Sequence, residues 1–199
     1  MAVPRQHNTD GRIARGERTR DAIVAAHTEL VREGVLKPTG KAIAERAGIS
    51  LRTVWLNYKD LEALLVATTG YWLEADLELR VSIDADLPLE ERIEAYVAMR
   101  VARLEHLAPA ARSAALGEPF SAALQESRRQ HVDRVQGDAD EVFAQEVAAA
   151  GERREVLRKA LFIASSWPSW SSLRHDFGLG VEESADVMRS TLTTLLRPQ

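Results

Sequence analysis

The chain of 199 residues contains no cysteine, which excludes disulfide bonds and thiolate chemistry but does not by itself identify a cellular compartment. It has no apolar run near the roughly 18 residues that a membrane-spanning helix needs, and its N-terminus lacks the apolar core of a signal peptide. It also shows no alternating strand pattern, internal repeat or low-complexity tract. These absences predict a soluble, cytoplasmic, all-α protein.

Sequence features of common catalytic centres are absent as well. No glycine-rich loop stands between a strand and a helix, as a nucleotide cradle would need, and the serines around Trp167 have no glycine-flanked nucleophile elbow. His131 with Asp133, and His175 with Asp176, are close in sequence but diverge on a helix, so neither pair favours chelation. We therefore expect no enzymatic activity, no metal site and no cofactor.

Charge is distributed unevenly along the chain. Residues 1–59 carry eleven Lys and Arg against six Asp and Glu, whereas residues 60–199 carry fifteen against twenty-four. A basic head on an acidic body is the asymmetry expected when only one end meets a polyanion. Residues 1–16 have no apolar periodicity, so we expect a flexible basic arm, either a solvated tail or a segment that reaches into a DNA minor groove.

The most informative stretch runs from Thr39 to Tyr58. Its apolar spacing predicts a short helix that is capped by Thr39 and ends before Gly48, followed by a second helix capped by Ser50. Two short helices joined by a tight turn form a helix-turn-helix pattern, although an ordinary αα-corner would look the same.

The second of these helices favours DNA binding because no acidic residue interrupts its polar row. Arg and Asn side chains can read base edges, and Thr, Asn and an indole N–H suit phosphate oxygens. The candidate DNA-binding residues are Thr39, Lys41, Leu51, Arg52, Thr53, Trp55, Leu56, Asn57 and Lys59.

With these residues in view, the first sixty-odd residues resemble the DNA-binding domain of the TetR (tetracycline-repressor-like) family of transcriptional regulators. The resemblance rests on several spaced motifs, namely Ile23-Val24-Ala25-Ala26, Glu33-Gly34, Ala47-Gly48-Ile49-Ser50, Thr53-Val54, Tyr58 and Glu62-Ala63-Leu64-Leu65. Trp55 departs from the family's usual Tyr, Gly40 replaces a common apolar residue, and Leu61 stands where a phosphate-contacting Lys is common. The last departure puts one phosphate contact in doubt.

The resemblance implies a three-helix DNA-binding domain over residues 17–62 and a helical ligand-binding and dimerisation domain over residues 63–199. Apolar periodicity in the second part predicts helices near 61–81, 89–107, 109–116, 119–149, 152–175 and 181–196. Pro109 and Pro119 are expected in first turns, and Pro168 is expected to kink its helix. The helix from Leu61 is expected to connect the head with the body.

Large side chains in the body predict a pocket for an unknown small molecule. Its candidate lining residues are Tyr96, Met99, Arg100, Arg103, Phe120, Phe162, Trp167 and Trp170. Each aromatic residue could instead be plain core, and both arginines could be solvated.

Apolar residues repeat by four and three from Val181 to Leu195, as they do along a seam between packed helices. This spacing predicts a homodimer interface formed by Leu157, Leu161, Ala164, Val181, Ala185, Met188, Leu192 and Leu195. The alternative is that these helices only close the core of one chain.

Taken together, the sequence predicts a ligand-responsive transcriptional regulator, most simply a repressor, that binds a pseudo-palindromic DNA operator as a homodimer. A protein of another class is the alternative, namely a helical small-molecule-binding or catalytic protein whose head no longer binds DNA. Salt-dependent binding to a DNA duplex separates the two.

Overall fold

The computed structural model describes residues 7–197, with side chains from residue 14 onward. Its regular elements are all helical over this range, so the predicted all-α class is confirmed. The helices are α1 (His7–Arg32), α2 (Gly40–Arg46), α3 (Leu51–Asn57), α4 (Leu61–Glu78), α5 (Leu89–Gly117), α6 (Ala122–Val142), α7 (Ala144–Ala149), α8 (Arg154–Ala164), α9 (Trp167–Ser171) and α10 (Val181–Leu196). None of them, over the described residues, is both long and apolar enough to cross a membrane.

The chain forms two compact units that are not contiguous in sequence. The first unit contains the residues up to Glu74 together with Pro109–Gln125, and the second contains Ala75–Ala108 and the residues from Glu126 onward. The division therefore differs from a single boundary near residue 62, because α4, α5 and α6 each have residues in both units.

Local capping explains where the short helices of the first unit begin. The side chain of Thr39 accepts a hydrogen bond from the Ala42 N–H at 3.2 Å, and that of Ser50 accepts from Thr53 at 3.1 Å. Asp60 caps α4 in the same way, through Ala63 N–H at 2.8 Å. Each cap satisfies a backbone donor that has no partner inside its helix, so the predicted starts of α2, α3 and α4 are confirmed.

The turn between α2 and α3 depends on a left-handed residue. Gly48 has φ of 65°, a conformation that costs glycine little and other residues more. The chain then returns towards α2, where the Ile49 N–H donates to the Ala44 carbonyl at 3.0 Å.

The core of the first unit joins α1, α2, α3 and the first turns of α4. Its buried members are Ile23, Ala26, Leu30, Ile43, Ala44, Val54, Tyr58 and Leu64. These are the apolar positions at helical spacing in the sequence, and their burial leaves the polar positions of α2 and α3 outside. Three hydrogen bonds attach Pro109–Gln125 to the same unit: Ser113 Oγ donates to the Leu36 carbonyl, and both the Ser121 hydroxyl and the Ala123 N–H donate to the Glu62 carboxylate.

The first helix begins at His7, ten residues before residue 17, where the predicted DNA-binding domain starts. Residues 1–16 show no apolar periodicity in the sequence, so this signal does not predict a helix there. Extending a helix that is already nucleated costs little, and α1 continues towards the N-terminus as far as His7. The predicted flexible arm is thus helical over residues 7–16, and residues 1–6, with Arg5, lie outside the described residues.

Three predicted helix boundaries in the body are wrong. Pro109 lies inside α5, because its missing N–H removes only one backbone hydrogen bond of a helix of 29 residues. The predicted helix 119–149 is interrupted at Phe143, which is fully buried and begins α7.

The predicted helix 152–175 ends instead at Ala164. Ser165 Oγ donates to the Leu161 carbonyl at 2.7 Å and so competes with the backbone for an acceptor. Pro168 follows in the first turn of α9, where a proline is well tolerated, and therefore kinks no helix.

The core of the second unit contains the residues that were predicted to face a partner chain. Leu157, Leu161, Ala185, Met188 and Leu192 are buried in it, and Ala164, Val181 and Leu195 pack against it. The side chain of Leu192, for example, has no exposed surface in the single chain, so it has no surface with which to contact a partner chain. The spacing was correctly identified as a packing seam, and this seam closes the core of the chain itself. The five buried residues therefore have little surface left for a partner chain, whereas Ala164, Val181 and Leu195 are only partly buried, and the dimer interface stays a prediction.

His27 generates a prediction about acid stability. It lies in α1 at 5% exposure, its Nδ1 has no hydrogen-bond partner, and burial lowers its pKa to about 4. The unfolded chain, with a histidine pKa near 6.5, therefore binds a proton that the folded chain excludes between about pH 6.5 and pH 4. Above about pH 6.5 the full free energy of unfolding is retained. As the pH falls from about 6.5 to about 4, exclusion of this proton lowers the free energy of unfolding by up to about 3 kcal/mol.

We expect the His27→Leu variant to lose less unfolding free energy than the wild type between pH 7 and pH 4.5. Denaturant titrations at several pH values measure this difference, and the other titrating groups, His131 included, act equally in both proteins. Parallel pH profiles for the two proteins would contradict the assignment.

Candidate nucleic-acid interface

Helix α3 presents a polar and apolar surface without acidic residues. Val54 and Tyr58 face the core, whereas Leu51, Arg52, Trp55 and Leu56 are exposed. The first turn has no acidic residue, and Leu56 is 72% exposed. An exposed leucine beside an exposed arginine gives this surface both a cation for phosphate or guanine and an apolar group for a thymine methyl.

The hydrogen bonds of α3 hold its two smaller polar side chains in place. The Thr53 hydroxyl lies 2.8 Å from the Ser50 hydroxyl, at the first turn of the helix. Asn57 Nδ2 donates to the Thr53 carbonyl at 2.9 Å, which fixes the amide against the helix and leaves its oxygen as the group that can accept. The second N–H of this amide can still donate, so Asn57 retains one donor and one acceptor for a ligand.

The basic side chains around α3 differ in how they are engaged. Lys41 and Lys59 are exposed and make only loose ion pairs, with Glu45 at 3.8 Å and Asp60 at 3.9 Å. Such exposed pairs contribute little, so both ammonium groups can exchange a carboxylate for a phosphate. Thr39 is also exposed, but its hydroxyl oxygen already accepts at the start of α2.

Arg46 lies near these residues in sequence but has a structural role. Its guanidinium donates to both oxygens of Glu33, at 2.9 and 2.6 Å, and to Glu29 at 3.4 Å. This bidentate contact ties α2 to α1 and holds the pKa of the Glu33 carboxyl below its usual value. Arg46 is thus not a candidate for contacting a ligand.

Gly40 and Trp55 determine how α2 and α3 approach. A Cβ added at Gly40 would lie 2.5 Å from Trp55 Cζ2 and 3.2 Å from Leu51 Cδ1, so the absence of a side chain makes room for the indole. The two departures from the TetR pattern that the sequence shows at positions 40 and 55 are therefore in contact. The large Trp55 ring fits against α2 because residue 40 has no side chain.

Arg20 is a candidate that the sequence did not single out. It is exposed on α1. Burial raises the pKa of Tyr58, and the charge of Arg20 opposes that rise, which places its guanidinium near the end of α3. The signal in the sequence is its position three residues before buried Ile23, on the part of α1 that borders the core.

The residues predicted to line a ligand pocket do not form one set. Tyr96, Met99 and Trp170 belong to the core of the second unit, and Trp167 packs against it, while Phe162 is half-buried. Phe120 is wrong as a lining residue, because it is 90% exposed and belongs to the first unit. It follows Pro119 in a short 3-10 turn that holds it away from the core.

Arg100 and Arg103 are fully buried, so their interpretation as solvated side chains is wrong. Arg103 donates to both oxygens of Asp76, at 2.8 and 2.7 Å, and also to Asp138. Arg100 donates twice to the Ser165 carbonyl, at 3.2 and 2.9 Å.

The sequence reasoning missed Asp76 and Asp138 as partners. The sequence did contain a signal for Asp76, because it lies four and eight residues after Trp72 and Thr68, on the buried face of the same helix. A carboxylate at such a core position needs a cation as its partner. Among the described residues no group of three or more His, Asp or Glu is arranged to hold a metal ion.

Comparison of the chain with protein-family models, with characterised proteins and with solved structures finds no match.

The contact between Gly40 and Trp55 generates a prediction about stability. We expect the Gly40→Ala variant to lower the free energy of unfolding by about 1–3 kcal/mol, because the new methyl group overfills the space against the indole. Gly70→Ala is the matched control: it lies in α4, nothing is within 4 Å of its added Cβ, and helix propensity favours the alanine.

Urea denaturation followed by circular dichroism measures both variants. Adding Trp55→Ala to Gly40→Ala is expected to recover part of the loss, since it removes the ring that the methyl group meets. Equal stabilisation by the two glycine replacements would show that the indole moves aside without cost.

Proposed function

We propose that this protein is a ligand-responsive transcriptional regulator of the TetR type, with α2 and α3 as a helix-turn-helix and α3 as the recognition helix. The observation that carries the proposal is the surface of α3, which exposes Arg52 and Leu56 and contains no acidic residue from Leu51 to Asn57. A helix that enters a phosphate-lined groove has to present such a face.

The surroundings of α3 support the same function. Exposed basic side chains at Arg20, Lys41 and Lys59 border it, and the core of the first unit holds it on α1. The acidic excess of residues 60–199 would repel DNA and orient the approach of the basic end. The proposed operator is a pseudo-palindrome, read by the recognition helices of two chains.

The proposed ligand acts through helices that have residues in both compact units. Within the first unit α4 is attached to α1 by Arg32, whose guanidinium lies 4.9 Å from the Trp72 ring centre and donates to the Tyr71 hydroxyl at 2.9 Å. In the second unit the same helix ends with Asp76 against Arg103. A ligand that favours one arrangement of these contacts changes DNA affinity only by its difference in affinity for the two states.

Binding to DNA tests the proposal directly. Fragments of DNA from upstream of the protein's own coding sequence are titrated with protein at several salt concentrations. Specific binding that weakens steeply with salt supports a DNA-binding regulator. Absence of salt-dependent duplex binding would instead favour a helical small-molecule-binding or catalytic protein.

Two substitutions on α3 separate base reading from backbone contact. The Arg52→Ala variant is expected to lose sequence discrimination, by roughly 1–3 kcal/mol if the guanidinium makes a bidentate contact with guanine. The Thr53→Ala variant is expected to weaken all duplexes about equally, since a phosphate contact has no sequence preference.

Gel-shift titrations against the selected fragment and a scrambled duplex measure both effects. Glu45→Gln is a control on the neighbouring helix: it removes the partner of Lys41 and should not reduce affinity. An unaltered preference for the selected fragment in Arg52→Ala would remove the base-reading role.

We place the proposed dimer contact on the outer faces of α8 and α10, because the predicted seam lies inside the core. Val156 and Ile163 are 68% and 58% exposed and lie seven residues apart on α8. On α10, Val187 is 41% exposed, and Thr191 and Thr194 follow it on the same face. Apart from exposed Lys159 on α8, these two stripes are uncharged surfaces of packed helices, which suits an interface between copies.

The Ile163→Glu variant is expected to be monomeric and folded at concentrations where the wild type is a dimer, because a charge would have to enter the interface. Val66→Glu is the matched control, since Val66 is also 58% exposed but lies on α4. Light scattering and circular dichroism measure assembly and folding. A dimeric Ile163→Glu protein would move the interface elsewhere.

A further inference from the structure

The second unit contains a cluster of charged side chains with more cations than anions. Arg103 lies between Asp76 and Asp138, and Arg80 donates to Asp138 at 2.8 Å and to Glu141. In addition to these five groups, the cluster includes the guanidinium groups of Arg100 and Arg134. Four guanidinium groups therefore face three carboxylates in this cluster.

Arg100 has no carboxylate partner of its own. Its Nε and Nη2 donate to the Ser165 carbonyl at the end of α8, where the negative end of the helix dipole lies. Its Nη1 is buried and has no hydrogen-bond partner. A guanidinium with no exposed surface and an unused N–H is costly to leave in the core, because a buried cation needs both charge and hydrogen-bond compensation.

Arg134 supplies a second buried donor without an acceptor. Its Nε also has no hydrogen-bond partner, and the nearest carboxylate oxygen, Oδ2 of Asp76, lies 3.7 Å away. That oxygen already accepts from Arg103 at 2.7 Å. Arg100 Nη1 and Arg134 Nε are therefore both buried N–H donors without an acceptor, and the carboxylate nearest to Arg134 already accepts from Arg103.

His131 connects these two donors. It lies three residues before Arg134 on α6, so both side chains project from the same face. Burial, together with the charges of Arg100, Arg134 and Arg103, lowers its pKa to about 4, against the opposing charge of Asp76. At neutral pH this imidazole is uncharged and lies among the cations, where it can donate to or accept from a ligand.

Access from solvent is available on the α6 side of the cluster. The Arg134 side chain is 22% exposed, and His131 is half-buried, whereas Arg100, Arg103 and Asp76 beneath are buried. A molecule that approaches from this side therefore meets Arg134 first, and a small movement of this flexible side chain opens the way to Arg100 while its Nε stays within reach.

We propose that this cluster binds a small organic monocarboxylate, whose oxygens accept from Arg100 Nη1 and Arg134 Nε beside His131. One negative charge balances the single excess cation, and the two unused N–H groups become satisfied together. The surroundings favour an anion with an apolar body, because Tyr96, whose hydroxyl lies 3.1 Å from Ser165 Oγ, stacks edge-on against Phe143 in the adjoining core.

This inference names the class of ligand that the proposed regulator would bind. Only the regulatory effect of the ligand on DNA binding rests on the proposed function. The binding itself is measured without DNA. A protein that fails to bind DNA can still bind the carboxylate, so failure of one proposal is distinguishable from failure of the other.

Isothermal titration of the full chain with octanoate and benzoate, each paired with its amide, tests the charge requirement. We expect at least one carboxylate to bind more than tenfold tighter than its amide, which has the same shape but no charge. Inorganic phosphate, a compact dianion at neutral pH, is expected to bind more weakly than that carboxylate. Equal affinities for acid and amide, or no carboxylate binding at millimolar concentration, would overturn the proposal.

Substitutions at the cluster test the site. Arg100→Met is expected to weaken carboxylate binding at least tenfold, and Arg134→Met, at a partly exposed position, tests the same site if the first variant does not fold. Arg158→Met is the matched control, since Arg158 pairs with Asp140 and Glu155 in the same unit and belongs to no part of the cluster. Unchanged binding in the cluster variants would overturn the assignment.

A nuclear magnetic resonance titration of His131 provides a readout that simple stabilisation would not move. A bound carboxylate favours the imidazolium, so the pKa of His131 is expected to rise from about 4 on binding, by about one unit for each tenfold coupling. The same carboxylate should leave the titration of His27, in the other unit, unchanged. A His131 pKa that does not respond to the bound carboxylate would place the ligand elsewhere.

Discussion

Arg103 is the residue on which the second unit depends most. It joins the last turn of α4, through Asp76, to α5 and, through Asp138, to α6, and all three side chains are buried. Loss of one member would leave a buried charge without its partner, at a cost of about 3–5 kcal/mol. The ion pairs therefore restrict how these helices can pack far more strictly than apolar contacts, which tolerate small shifts.

This constraint gives a physical basis for the proposed regulation. The three helices that Arg103 connects are the three that have residues in both compact units. An anion that binds beside Arg103 changes the electrostatic balance of the contacts that hold α4, α5 and α6. A carboxylate ligand and a DNA-binding head can in this way be coupled through continuous helices, with no additional moving part.

The proposed recognition surface depends on a different kind of constraint, which is steric. Gly40 has no side chain because the Trp55 ring occupies that space, so the position of α3 on α2 reflects one pair of residues of unequal size. Val54 and Tyr58 hold the opposite side of α3 in the core, and Arg46 clamps α2 to α1. The exposed face of α3 is thus presented by a rigid support, which DNA reading requires.

Much of the head could be predicted from the sequence, because its signals act over a few residues. Thr39 and Ser50 were predicted as caps, and the first short helix was predicted to end before Gly48, since each of these signals acts on groups within four positions. The all-α class and the buried stripes followed from periodicity. The helical residues 7–16 were not predicted, because their sequence shows no apolar periodicity.

The remaining features were decided by the tertiary structure, because they depend on residues far apart in the chain. Arg103 finds its carboxylates 27 and 35 positions away, and nothing local distinguishes it from a solvated arginine. The seam from Val181 to Leu195 has the same spacing whether it meets its own chain or a copy, and only the packing of α8 against α10 showed which. The sequence alone determined the helices and their apolar faces, and the fold decided what each face and each charge would meet.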